Sequence, residues 1–242
     1  AMTESLALLA KRLKVVSWAD ARADQPGMQS AALRSGHQAV SLETGKHCVY
    51  WHLAKDDDTP VGPARETMVH LTSLPVDIYK LQRELLTWPE SLVGDLIASL
   101  TQAMDPQDKN RNVVEKVLPN AAVVKKRITE NVRRALPKEQ LQATDNPDIM
   151  IVHLGKASMV VIAPDASGFV ISRPNADLKR IIELGQAIGL QTVTSYVDVQ
   201  DTAALPILQS AGLRPTMLRV WQESKQQKPQ WQVGWRAVAN DF

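Results

Sequence analysis

Nine lysines and arginines stand between Asp105 and Lys138 against four acids, a surplus of five in a chain of 242 residues whose formal net charge is only +2. Cations gathered this densely neutralise phosphates or carboxylates, and they do so in a salt-dependent way. The candidate nucleic-acid-binding residues are Lys109, Arg111, Lys116, Lys125, Lys126, Arg127, Arg133 and Arg134. In "NAAVVKKRITENVRRAL" the spacing puts Val124, Ile128, Val132 and Ala135 on one buried stripe. That leaves Lys125, Lys126, Arg133 and Thr129 outward. A helix before it, "DPQDKNRNVVEKVL", would make a helix-turn-helix-like pair whose second member enters a major groove. The competing reading is a solvated face or a protein interface, since cations late in a helix also favour its macrodipole. No aromatic residue interleaves with the cations, which disfavours stacking on single strands.

Other clusters carry less. "HCVYWH" offers His47, Cys48 and His52, but on a strand His47 and His52 face opposite ways. Cys48 and His52 then share a face about 13 Å apart, too far for one metal ion. No metal is expected there. "DDD" at Asp56 to Asp58 reads as a polar turn. "LGKAS" has a glycine and lysine in phosphate-loop order without the upstream glycine, and so reads as a hairpin turn at Gly155 and Lys156. His37, His70 and His153 have no motif around them. Cys48 is the only cysteine, which excludes an internal disulfide and suits a reducing cytoplasm.

These residues need elements to position them. Thr3 to Val16 reads as an amphipathic helix, and a looser stretch follows from Ala19. Gln38 to Ala54 reads as a hairpin turning at Thr44 and Gly45, and "RETMVHLTSL" as another strand. Residues 75–138 read as four helices, two of them opening at Pro75 and Pro89 where a missing N–H costs little. "PKEQLQATDNPD" is polar and proline-bearing, and marks a boundary. From Pro147 the order becomes strand, strand, strand, helix, strand, helix, strand, strand. The fold class is therefore α+β, with a mixed region over 1–146 and an α/β lobe over 147–242.

That order, with "SYVDVQDTAALPILQSAGLRP" at its centre, resembles the latter half of the GNAT acyltransferase family. Asp201, Ala204, Ile207, Leu208, Gly212 and Leu213 fall on the family's spacing of a strand-ending Asn or Asp, an Ala, an apolar helical face and a closing Gly with a bulky residue. The resemblance covers about 95 residues. It implies a coenzyme, acyl-CoA, whose pyrophosphate is held on backbone N–H groups of a glycine-containing loop that opens a helix. Here that junction reads "ISRPNADLKR", with no glycine between Arg173 and Lys179, and with Pro174 removing a donor. Arg173, Asn175, Lys179 and Arg180 remain as candidate anion-binding residues. The family's thiolate-protonating tyrosine would fall at Leu208, which has no proton to give. Tyr196 substitutes only where its strand turns it to the cleft. Inside this stretch, Pro206 threatens the first intrahelical bond and predicts a loose first turn.

Hydrophobic residues at 44% and charged residues at 22% exclude a disordered chain. No run of about 18 apolar residues occurs, so no membrane span is expected. The reading is a non-catalytic, nucleic-acid-associated or regulatory binding protein of the cytoplasm with an acetyltransferase-like lobe, and with no cofactor. An acidic protein could take the place of nucleic acid. Its alternatives are a divergent acyl-CoA-dependent acyltransferase, with Tyr196 as its acid, and a structural protein that assembles as a homo-oligomer.

Overall fold

The computed structural model describes residues 18–22, 26–48, 65–72, 78–104, 121–221 and 230–237. The class is α+β, with two sheets among these residues. The first sheet has order β1-β3-β2, built from β1 (Trp18–Arg22), β2 (Gln38–Cys48) and β3 (Arg65–Thr72), all antiparallel. Helix α1 (Pro26–Arg34) packs against it, and Ala21, Ala32, Val69 and Leu71 form a small core.

The expected hairpin at Thr44 and Gly45 is corrected by this sheet. β2 runs straight through both residues and pairs with β3 on either side. Its register shifts between Glu43↔Met68 and His47↔Glu66, so four residues of β2 advance against two of β3. A threonine and glycine inside a strand thus mark a bulge and not a reversal. The looser stretch after Ala19 is corrected too, since Trp18–Arg22 is a strand and Pro26–Arg34 a helix. The expected helices over 3–16 and 105–118, and the segment from Val49 to Ala54, lie outside the described residues.

Helices α2 (Ile78–Leu85), α3 (Glu90–Met104) and α4 (Ala121–Ala135) follow, then a short 3-10 turn at Lys138–Gln140. The second sheet contains β4 (Leu141–Ala143), β5 (Ile149–Leu154), β6 (Ala157–Ile162), β7 (Ser167–Val170), β8 (Thr192–Asp198), β9 (Leu213–Trp221) and β10 (Gln230–Ala237). Its order is β4-β5-β6-β7-β8-β10-β9. Only the β7–β8 neighbours run parallel. A parallel pair needs a crossover, and α5 (Leu178–Ala187) supplies it; α6 (Leu205–Ser210) carries the chain from β8 to the edge strand β9.

Alternation along the strands assigns the two faces. Val152, Met159, Val161, Val193, Val233 and Trp235 point into a core that also takes Leu178, Ile181 and Ile182 from α5. A Cβ on Gly185 would stand 2.7 Å from a methyl of Val193, so α5 approaches β8 as closely as a glycine permits. The same core holds Leu81, Trp88, Leu92 and Leu96 from the α2–α3 region, and Val124, Ile128, Val132 and Leu136 around α4. Its apolar contacts therefore run across residue 146, and the polar "PKEQLQATDNPD" contributes the edge strand β4, paired with β5.

Pro206 is absorbed without strain. The chain makes a 3-10 turn at Thr202–Ala204 first, and α6 begins only at Leu205. Pro206 then sits in the first turn, where its missing N–H has no helical partner to lose. Gly189 and Gly212, both at positive φ, end the two crossover helices.

The inner stripe of α4 sets the first expected outcome. Ile128 is fully buried, so Ile128→Ala is expected to cost about 2–5 kcal/mol in urea unfolding. Arg133→Ala, on the exposed side, is expected to stay within about 0.5 kcal/mol. Equal losses would mean that α4 does not dock through this stripe.

Candidate functional site

The β7–β8 junction is built by a shared register that runs only from Ser167↔Thr192 to Val170↔Ser195. Past that rung each strand follows its outer neighbour. The Ile171 N–H donates to the Ser158 carbonyl at 2.9 Å, and the Ser158 N–H donates to Ser172 Oγ at 3.1 Å. Tyr196 pairs instead with Gly234, and the Val199 N–H donates to the Trp231 carbonyl at 2.9 Å. Two parallel strands thus part company at their carboxyl ends, the position where open α/β sheets hold ligands. At the last shared rung, Ser195 Oγ and Trp235 Nε1 belong to register partners and are buried with no hydrogen-bond partner. Such groups cost about 1–3 kcal/mol each when left unmet.

The segment from Ile171 to Asp177 is tied to the β5–β6 turn. Asn175 Nδ2 donates to the Lys156 and Arg173 carbonyls at 3.1 and 2.8 Å, and Asn175 Oδ1 accepts the Asp177 N–H at 2.9 Å. Asp177 Oδ2 accepts the Lys156 N–H at 2.8 Å, and Arg180 reaches Oδ1 at 3.2 Å. The Lys156 backbone donor, helped by Arg180, holds the Asp177 carboxyl below its ordinary value, although partial desolvation pulls the other way. Gly155, at φ +60°, lets this happen, because a Cβ there would collide with the carboxylate. An ionised carboxylate therefore stands at the start of α5, where an incoming anion would otherwise be welcomed by the helix.

The candidate anion residues are distributed accordingly. Asn175 is engaged in the loop's own hydrogen bonds, Arg180 pairs with Asp177, and Lys179 pairs with Glu183 at 4.0 Å on the exposed side of α5. Arg173 is exposed.

Tyr196 lies on the half-buried face of the sheet. Phe169 of β7 stacks on its ring at 6.4 Å between centroids, with planes 6° apart. The Arg219 guanidinium of β9 lies 3.4 Å from the same ring's centroid and 4.7 Å from that of Trp221. Arg219 Nε and Nη2 both donate to Gln232 Oε1, at 2.9 and 2.8 Å, and Gln232 Nε2 donates to Asp198 Oδ1 at 2.8 Å. β10 separates β8 from β9, so Arg219 reaches Tyr196 across Gly234, the residue opposite both Tyr196 and Met217. This ring of contacts fixes the tyrosine in place. Arg219, Gln232 and Asp198 escaped the sequence reading because only register brings them together; the one available signal was their alternation with apolar neighbours.

The basic residues separate into three groups. Lys109, Arg111 and Lys116 lie outside the described residues. Lys125 is half-buried and forms an ion pair with Asp148 in the β4–β5 turn. Lys126, Arg127, Arg133 and Arg134 are exposed on the outer face of α4, with Glu130 the acid among them. The stripe beneath is Val124, Ile128, Val132 and Leu136 at strict four-residue spacing. Ala135, expected on it, is exposed, because Leu136 stands one turn after Val132 as the helix ends. Asn131, at the stripe's margin, donates to the Ile188 carbonyl at 3.0 Å and locks α4 to the end of α5.

Among the described residues no group of three His, Cys, Asp or Glu side chains could hold a metal ion, and no helix is long and apolar enough to cross a membrane. β2 carries His47 and Cys48 at successive strand positions, opposite Glu66 and Arg65; His52 lies outside the described residues. No protein-family model matches the chain, and no curated protein matches its sequence.

Gly234 gives the second expected outcome. A Cβ there would overlap the Met217 side chain and stand 3.1 Å from Tyr196 Cε1. Gly234→Ala is expected to lower stability by about 1–3 kcal/mol and to move the Tyr196 ring resonances in NMR spectra. Unchanged ring shifts would mean that Tyr196 is not held through this contact.

Proposed function

We propose that the chain is a non-catalytic binding protein, acetyltransferase-like in its carboxy-terminal lobe, that docks nucleic acid on the outer face of α4. The carrying observation is that face: four exposed cations with a single acid, on a helix whose opposite side is locked into the core. A helix held this firmly presents its charges at fixed spacing, as a phosphate backbone requires. Lys125 is set apart from this role by Asp148, and leaves Lys126, Arg127, Arg133 and Arg134 as the contacts.

The acetyltransferase-like reading of the lobe is supported by its strand order, by its single parallel pair and by the parting of that pair. The reading that it does not transfer acyl groups is supported by Asp177. Its carboxylate stands where the family's diphosphate would arrive, and Asn175 is committed to the same loop. A carboxylate and a diphosphate brought to the same helix end repel. Tyr196, clasped by Phe169 and Arg219, is accounted for by packing.

Electrophoretic mobility shift across a salt series tests the nucleic-acid reading. With about four phosphates neutralised, log affinity is expected to fall against log salt with a slope of about −3 to −4. The double variant Arg133→Ala, Arg134→Ala is expected to bind more weakly and to lower that slope by about two. Absence of retardation for duplex DNA and RNA at low salt would dismiss this reading.

A second reading, an acyl-CoA-dependent acyltransferase, is favoured by the unmet Trp235 N–H and Ser195 hydroxyl at the parting of the strands, which a bound acceptor group would satisfy. Calorimetry with acetyl-CoA separates the two. No heat is expected; binding in the micromolar range would put the transferase first.

A further inference from the structure

Alternation along β5 and β6 sends Val152 and Met159 into the core. Their neighbours His153 and Ser158, register partners on adjacent strands, therefore project from the opposite face of the sheet. There the Ser158 hydroxyl lies 2.8 Å from His153 Nδ1, and His153 Nε2 lies 3.3 Å from Gln142 Oε1 of β4. An amide oxygen only accepts, so the Nε2 proton is directed to Gln142, and Nδ1 is left to accept from the serine hydroxyl. Ser172, just past β7, completes the row: its Oγ accepts the Ser158 N–H at 3.1 Å and keeps its own proton for a further acceptor. His153, Ser158 and Ser172 are half-buried.

A serine and a histidine opposite each other on two strands are by themselves an ordinary sheet contact. A nucleophile within reach of a base, with the base oriented by a third group, is the arrangement that activates a hydroxyl. A neutral amide fills the orienting role in Cys-His-Asn sites, and Gln142 stands in that role here. Beside the row, on the same face, Ile151 and Val160 pair with each other and Phe169 stands opposite Val160, all three half-buried. Apolar side chains next to a hydroxyl nucleophile suit an acyl group with a hydrocarbon chain.

We propose that Ser158 is a nucleophile that takes an apolar acyl group from an activated ester, with His153 as its base and Gln142 as the positioning residue. Ser158 Oγ attacks the carbonyl carbon as its proton passes to His153 Nδ1; the ester C–O bond then breaks, and the departing oxygen takes that proton. The Ser172 hydroxyl donates to the carbonyl oxygen as it becomes anionic, and the chain lies along Ile151 and Val160. The product is one modified serine, and no turnover is assigned to it. The row lies on the sheet face opposite the core in which α4 docks, and does not depend on α4 binding nucleic acid.

Incubation of the full chain with p-nitrophenyl butyrate, followed by intact mass and peptide mapping, tests the proposal. A burst of p-nitrophenolate equal to the protein present is expected, with one butyryl group mapped to Ser158, and prior unfolding in urea should abolish it. Ser158→Ala should remove the label, and His153→Gln should slow it about 100-fold, the share of a general base. Gln142→Leu should slow it too, while Gln142→Glu, which keeps an accepting oxygen for Nε2–H, should restore it. Ser210→Ala, on the exposed side of α6, should leave it unchanged. Butyryl groups on lysines with none on Ser158 would overturn the proposal. So would a His153→Gln protein, folded by circular dichroism, that is labelled at Ser158 as fast as the parent.

Discussion

Much of the second sheet's arrangement depends on four shared rungs. β7 and β8 pair in parallel from Ser167↔Thr192 to Val170↔Ser195, then each keeps only its outer neighbour. Parallel pairing demands a crossover, and the crossover demands a helix that lies on the sheet. α5 meets that demand through Leu178, Ile181 and Ile182, and through Gly185, whose missing side chain lets it sit against Val193. The place where pairing stops is then set by which neighbours the two strands retain. Ser158 holds the β7 side and Trp231 the β8 side.

The same core assigns charge to the surface. Burying Val124, Ile128, Val132 and Leu136 orients α4 by its hydrophobic stripe, and the cations between those positions can only face outward. Their exposure follows from the apolar residues and not from any attraction among the charges. The Lys125–Asp148 pair adds little to stability by comparison, since half-exposed ion pairs are worth about 0–1 kcal/mol. What it does is remove one cation from the outward set.

Several elements were legible from local chemistry alone. β-branched runs marked β5, β6 and β8, and Gly155 marked the tight turn between the first two. Gly189 and Gly212 marked helix ends, because positive φ is costly for any other residue. Other local signals misled where the tertiary setting outweighed them. Thr44 and Gly45 have the composition of a turn, yet β3 offers partners on both sides and the chain stays extended through a bulge. Pro206 has the look of a helix breaker, yet a preceding 3-10 turn moves the helix start to meet it. Leu141–Ala143 sits in a polar stretch without a strand's apolar alternation, yet the open edge of β5 takes it as a strand.

The candidate sites divide the same way. The basic run, the single cysteine, the missing glycine between Arg173 and Lys179 and the class of the fold were written in residue order, because composition and periodicity act over one or two turns of chain. The Asp177 carboxylate against Lys156 and the Arg219 clasp on Tyr196 join residues 21 and 23 positions apart. Only the tertiary arrangement brings such pairs within reach, and for Tyr196 and Arg219 a register shift of one residue would turn the side chain to the other face of the sheet.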